Sequence, residues 1–192
     1  MLLEGLHIPL TTPFHPDGRL NPRKLASNIA RYSKSLAAGL ILLGPSAEPT
    51  LLSDDETRDL LRTAAQTAAP EKVLLAGIAR DSVTATLALA DFAAALGYDA
   101  ILLSIPSILA PESPATLRKT ILYFQTIADR SSIPIILLST PTRSISLDTV
   151  AELAAHPNIL GLLDSASYPA EITGFLRHTA APRWRARPSA LP

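Results

Sequence analysis

Cysteine is absent from this chain of 192 residues. That excludes disulfides and thiolate metal sites, and it fits a reducing compartment. Net charge is absent too, because 17 basic and 17 acidic residues cancel. Apart from the last dozen residues, no region carries a strong basic field, so nucleic acid is not an expected partner. The start, Met1 to His7, has neither the basic segment nor the apolar stretch of a signal peptide. No apolar run reaches the roughly 20 residues that cross a bilayer, so no membrane partner is expected. The expectation is a soluble cytoplasmic protein. The histidines (His7, His15, His156 and His178) have no metal-ligand spacing. With no His/Asp/Glu cluster at the predicted strand ends, no metal is expected.

What is present is apolar sequence, 47% of the chain, enough for one sizeable core and one domain. It is arranged as a repeated unit. Leu6 to Leu10 reads as a strand leaving through Thr11-Thr12. After the turn Asp17-Gly18, Asn21-Pro22 starts a helix over 22–37, with Leu25, Ile29, Tyr32 and Leu36 at helical spacing. Gly39 closes it. Leu40 to Leu43 is a strand apolar on both faces, as in a covered parallel sheet. Ser53 with Glu56 forms a capping box, and that helix runs to about Ala68. Strands follow at Val73 to Ala76, Ala100 to Leu103, Ile135 to Leu138 and Ile159 to Leu163. The helices between them open at Asp81-Ser82, Ser113-Pro114 and Ser146, and a last one covers Pro169 to His178.

Six strands alternating with six helices imply right-handed βαβ units and a parallel sheet. Both an open doubly wound sheet and a (β/α)8 barrel fit. The first strand lacks a G-x-G-x-x-G turn, which weakens the dinucleotide-binding version. In either architecture the functional groups stand at the carboxyl ends of the strands.

Four ordered segments carry a resemblance. They are Ile8-Pro9-Leu10-Thr11-Thr12-Pro13-Phe14, Gly44-Pro45-Ser46-Ala47-Glu48, Ile135 to Pro141 with Arg143, and Pro157-Asn158-Ile159-Leu160-Gly161-Leu162-Leu163-Asp164-Ser165. In these, residues 5–178 resemble the dihydrodipicolinate synthase and N-acetylneuraminate lyase family. The resemblance implies a (β/α)8 TIM barrel. It also implies a class I aldolase or lyase that handles pyruvate through a lysine Schiff base, with no separate cofactor.

The chemistry does not carry over with the fold. The family's Schiff-base lysine falls on Leu163 and its proton-relay tyrosine on Leu138. An amine is needed for the imine, and apolar surroundings make it nucleophilic near neutral pH. Leucine cannot substitute. Lys24, Lys34 and Lys119 lie on predicted outer helices, and Lys72 precedes the third strand at the wrong end. The family's signature threonines fall on Pro45 and Ser46, of which only Ser46 can still bind a carboxylate. Arg143 falls where the synthases bind a substrate carboxylate, a task that suits an Arg fork. A helix-flanking surface arginine is the equal alternative. Glu48 reads as a carboxylate ordering its loop through backbone N–H groups. No catalytic residue is assigned. Ser46 and Arg143 are the binding candidates, for a small keto acid or carboxylate. The chain reads as a pseudoenzyme of a lyase lineage. The alternatives are a carboxylate-binding or interaction protein, and a lyase of altered chemistry.

The barrel typically needs about 250 residues, and here the pattern ends after six units. Residues 1–179 read as a partial barrel and 180–192 as an irregular tail rich in Ala, Arg and Pro. That composition is what GC-rich DNA gives in a wrong frame, so a frameshift near residue 180 is one expectation. Six strands leave open edges, with Leu42 and Leu137 expected to face inward without partners. Poor solubility, or association into homo-oligomers through those edges, follows.

Overall fold

The computed structural model describes residues 3–78, 80–110 and 112–165. Six strands form one parallel sheet in chain order: β1 (His7–Pro9), β2 (Gly39–Leu42), β3 (Val73–Ile78), β4 (Ala100–Leu103), β5 (Ile135–Ser139) and β6 (Ile159–Asp164). Five helices connect them: α1 (Pro22–Ser33), α2 (Asp54–Thr67), α3 (Val83–Ala95), α4 (Leu117–Arg130) and α5 (Leu147–Leu153). Each strand pairs with the next in sequence, which is the order of a (β/α)8 barrel and not of a doubly wound sheet. The fold is therefore an incomplete TIM barrel, with six strands and five α-helices among the described residues. Among the described residues, β1 pairs only with β2 and β6 only with β5. The helix expected over 169–178 and the tail from 180 lie outside the described residues.

The helix starts follow from their caps. The Asn21 side chain accepts from the Lys24 amide at 3.0 Å. In the capping box, Ser53 Oγ accepts from the Glu56 amide and Glu56 accepts from the Ser53 amide. Ser82 and Ser146 cap α3 and α5 in the same way. Helix α4 begins at Leu117, four residues after Ser113. The Ser113 carbonyl still accepts the first helical bond, from the Leu117 amide at 2.8 Å.

Helix α1 stops at Ser33, short of the expected 37, and Leu36 is fully exposed at 104%. Ser35 ends it locally. Its hydroxyl donates to the Tyr32 carbonyl and accepts from the Ala37 amide, which competes with further helix. Gly39, expected to close this helix, instead begins β2, packed so closely on Val73 and His7 that a side chain there would collide.

All five helices pack on one face of the sheet. They bury Leu40, Leu42, Leu74, Ile101, Leu103 and Leu137 with Leu25, Ile29, Leu60, Phe124 and Ile127. The other face carries a second cluster made only of strand residues, centred on Ile41, Leu75, Leu102, Ile136 and Leu138. That is the concave face, the barrel's inside. Leu42 and Leu137 were expected there, but both face the helices. In strands apolar on both faces the sequence carries no alternation, and a one-residue error of phase inverts the assignment.

β6 contains a bulge. Ile135 pairs with Ile159 and Ile136 with Gly161, so Leu160 is an extra residue. Both Leu160 and Leu163 then pack on the concave cluster, although three residues apart. A regular strand would turn Leu163 toward the helices. Gly at 161 suits a bulged backbone.

Candidate functional site

The carboxyl ends of β2 to β5 surround a cleft of about 550 Å³. Leu102 and Leu138 form its floor. Pro45, Pro49 and Leu51 line one wall, and Pro141 and Arg143 line the opposite one. The lining is mainly apolar, with hydroxyls from Thr50, Ser104, Thr140 and Thr142 and the Glu48 carboxylate.

The first wall is the β2–α2 loop, built as two consecutive 3₁₀ turns, Pro45–Ala47 and Pro49–Leu51. Its backbone is unusual at its start and between its two turns. Leu43 (φ 56°) and Glu48 (φ 53°) both take the left-handed conformation, uncommon for residues with a Cβ. On β3, Gly77 lies against the Leu43 carbonyl, where any side chain would collide. Thr12, at the exit of β1, donates to the Ala47 carbonyl at 2.8 Å and ties the loop down. The Glu48 side chain makes no cap hydrogen bond to the turn that follows it and is exposed. Its expected loop-ordering role is therefore not seen there.

Arg143 closes the other wall from a tight turn in which the Arg143 amide donates to the Thr140 carbonyl at 3.0 Å. Its side chain is 23% exposed and lines the cleft. One guanidinium nitrogen, Nη1, donates to the Ile105 carbonyl at 3.0 Å and stands 3.8 Å from Asp81 Oδ1. Asp81 also accepts from the Ser107 amide at 2.8 Å and from the Ser107 hydroxyl. These bonds hold its carboxyl below the usual range; the Ser107 hydroxyl contributes most, and the Arg143 charge adds to it. Behind them, burial pushes the Tyr123 hydroxyl upward. That hydroxyl meets Thr86 and donates to the Arg80 carbonyl, each at 3.3 Å. Three strand-top loops are thus cross-linked beside the cleft.

Arg143 is thus both a cleft-lining cation and a clasp between loops, where the sequence offered a carboxylate-binding residue or a helix-flanking surface arginine. Ser46 is exposed in the first 3₁₀ turn and is not among the cleft-lining residues, so the two binding candidates are not brought together. Leu138 lines the cleft, and Leu163 lies beside it on the concave face. Other strand-top serines are structural: Ser139 Oγ accepts from the Ile145 amide, and Ser165 Oγ donates to the Ser139 carbonyl. His15 stands against Asn21. Among the described residues no three His, Asp or Glu side chains could hold a metal, and no helix is long and apolar enough to cross a membrane. The Asp81–Ser107–Arg143 contacts were missed from sequence. Asp81 and Ser82 looked like a helix start, and the partners lie 26 and 62 residues away in the chain.

Comparison with known proteins gives the same lineage. The model of the dihydrodipicolinate synthetase family matches residues 2–180. The 4-hydroxy-tetrahydrodipicolinate synthase of Xanthomonas axonopodis pv. citri is 34% identical over 179 residues, covering 92% of this chain and 58% of that protein. The Acidiphilium cryptum synthase is 31% identical over 183 residues, covering 94% and 60%. Among solved structures, a prophage protein of this family from E. coli K12, in complex with pyruvate, superposes with a TM-score of 0.86. It is 25% identical, and the match covers 96% of this chain and 62% of that one. The N-acetylneuraminate lyase of Mycoplasma synoviae, at 24% identity and a TM-score of 0.78 over 92% and 59% of the two chains, shares the fold. The chain spans about three fifths of the length of the curated relatives it matches. With the sheet order, the strand-top cleft and the match over residues 2–180 in agreement, the chain belongs to the dihydrodipicolinate synthetase family.

Proposed function

We propose that this chain keeps the scaffold of a pyruvate-handling lyase lineage without its lysine-dependent chemistry. The observation that carries the reading is the pair Leu138 and Leu163. They are adjacent in parallel register on an apolar concave face, at the positions that the resemblance gives to the relay hydroxyl and the imine-forming amine. No other lysine is placed to replace that amine. Lys24 and Lys119 lie on α1 and α4, and Lys34 caps the end of α1. Lys72, at the amino end of β3, donates to the Ser35 and Ala37 carbonyls at 2.9 and 2.7 Å.

A second reading, a carboxylate-binding protein, is favoured by Arg143, which faces the cleft with donors left over after its bond to Ile105. Incubation with pyruvate and borohydride, followed by peptide mass spectrometry, tests the main reading. The expected result is no pyruvyl-lysine adduct. An adduct on any of the four lysines would overturn it. Cytoplasmic location and association through the sheet edges belong to the same proposal.

A further inference from the structure

We propose that the strand-top cleft binds an amphipathic monocarboxylate, a carboxylate attached to a flexible aliphatic chain, in preference to a small keto acid. The inference rests on the reading that no imine forms here, and it names the ligand class of the same cleft. Three observations carry it.

The first is the character of the walls. Pro45, Pro49 and Leu51 face Pro141 across a floor of Leu102 and Leu138. Pro45 offers neither a hydroxyl nor an N–H to a bound oxyanion; Glu48 and Thr50 also line this wall, and its apolar contacts are Pro45, Pro49 and Leu51. Pockets of a few hundred Å³ with an apolar lining and a few convergent polar groups are the usual form of small-molecule sites, and about 550 Å³ falls in that class.

The second is Leu51, which lines the cleft and is still 75% exposed. Its α2-side loop is held by the capping box and by the bond from Thr12 to Ala47, so the side chain is presented on fixed backbone. An apolar ligand would cover it and remove that area from water.

The third is charge. Among the described residues, Arg143 is the one cation lining the cleft. Its Nη1 is engaged by the Ile105 carbonyl and stands 3.8 Å from the half-exposed Asp81 carboxylate, which offsets part of its charge; the other guanidinium N–H groups are left for an anion. The lining carboxylate, Glu48, is on the opposite loop and exposed, where solvent screens it. A ligand with its carboxylate at Arg143 and its chain along Pro141, Leu138 and Leu51 satisfies all three.

The test is calorimetric titration of the full chain with acetate, butyrate, hexanoate, octanoate, 1-hexanol and pyruvate. Affinity is expected to rise about three- to fourfold per added methylene. 1-Hexanol is expected to bind about tenfold more weakly than hexanoate, since it forfeits a charge-assisted hydrogen bond. Pyruvate should bind no more tightly than butyrate. Leu51→Ser, at an exposed site that leaves folding intact, should flatten the chain-length dependence. Arg143→Gln should erase the preference for hexanoate over 1-hexanol. If that variant fails to fold, the comparison of the two ligands on the parent protein decides the point alone. A flat chain-length series, equal binding of hexanoate and 1-hexanol, or pyruvate binding more tightly than hexanoate overturns the proposal. A borohydride-trapped adduct would instead overturn the absence of imine chemistry, and it leaves the titration to be judged separately.

Discussion

Leu138 on β5 and Leu163 on β6 are register partners in the parallel sheet, and both turn to its concave face. The bulge at Leu160 makes this so, because without the extra residue Leu163 would face the helices. The two positions are therefore side by side on one face, and both side chains are hydrocarbon.

This geometry makes the missing amine testable by addition. Leu163→Lys places an ammonium among Leu138, Leu160 and the rest of the apolar cluster, surroundings that disfavour the charged form and favour the nucleophilic amine. Borohydride trapping with pyruvate should give an adduct at residue 163 in the variant and none in the parent. Turnover should stay at background, because Leu138 supplies no hydroxyl; adding Leu138→Tyr is the step expected to raise it. Turnover from Leu163→Lys alone would show that the relay is not needed.

Much of this was legible beforehand. The caps at Asn21, Ser53, Ser82 and Ser146 marked helix starts because side-chain capping is a local interaction between neighbours in sequence. What stayed hidden depends on distant partners or on phase. Leu42 and Leu137 were assigned to the wrong face because Leu-Ile-Leu-Leu and Ile-Ile-Leu-Leu contain no polar residue to set the alternation. Leu36 matched a helical period but lies beyond the Ser35 stop. The clasp from Arg143 to Ile105 and Asp81 joins three loops, and no local pattern announces it.

The corrected phase gives a stability prediction. Leu137 is fully buried against the helices, so Leu137→Ala should cost about 2–5 kcal/mol, read from the urea midpoint. Leu36→Ala should stay within about 0.5 kcal/mol. Equal effects at the two positions would contradict the placement of both.

Gly77 offers a sharper steric test. A Cβ there would collide with the Leu43 carbonyl, a backbone atom that can move only by disturbing the β2–α2 loop. Gly77→Ala should destabilise by roughly 1–3 kcal/mol. It should also weaken any ligand of the cleft, since Leu43 and Gly77 both line it. Leu43→Gly would relieve the left-handed backbone but would also empty a buried core side chain, so it too should destabilise, by about 2–5 kcal/mol.

Acid should loosen the rim before it unfolds the core. Hydrogen bonds from Ser107 hold Asp81 below its ordinary 3.8, and those from Ser53 hold Glu56 below its ordinary 4.5. A folded-state value below the unfolded one means that the stabilisation is fully present above 4.5 for Glu56 and above 3.8 for Asp81. Each contribution is lost as pH falls through the folded-state value. Amide exchange at Ser107 should therefore accelerate below about pH 4, relative to amides in β4. Asp81→Asn should remove that acid-induced change. An unchanged Ser107 exchange profile in Asp81→Asn would argue that the carboxylate does not hold the loop.

The two sheet edges differ in a way that predicts how the chain associates. β1 is three residues long and contains Pro9, which has no N–H to offer a neighbour, so that edge is poor at pairing. β6 runs for six residues, with no proline and no charge before Asp164. Among the described residues it pairs only with β5. Association should then proceed through β6 more than β1. Sedimentation velocity of the full chain should show mass rising with concentration, and Leu160→Lys should oppose it. The lysine lies on the partly exposed, bulged segment of that strand, where a charge disfavours a second apolar strand. Lysine at Leu6, beside the β1 edge, should have little effect. A chain that stays monomeric at every concentration would mean that the β6 edge is covered, and an equal response to both lysines would mean that association runs elsewhere.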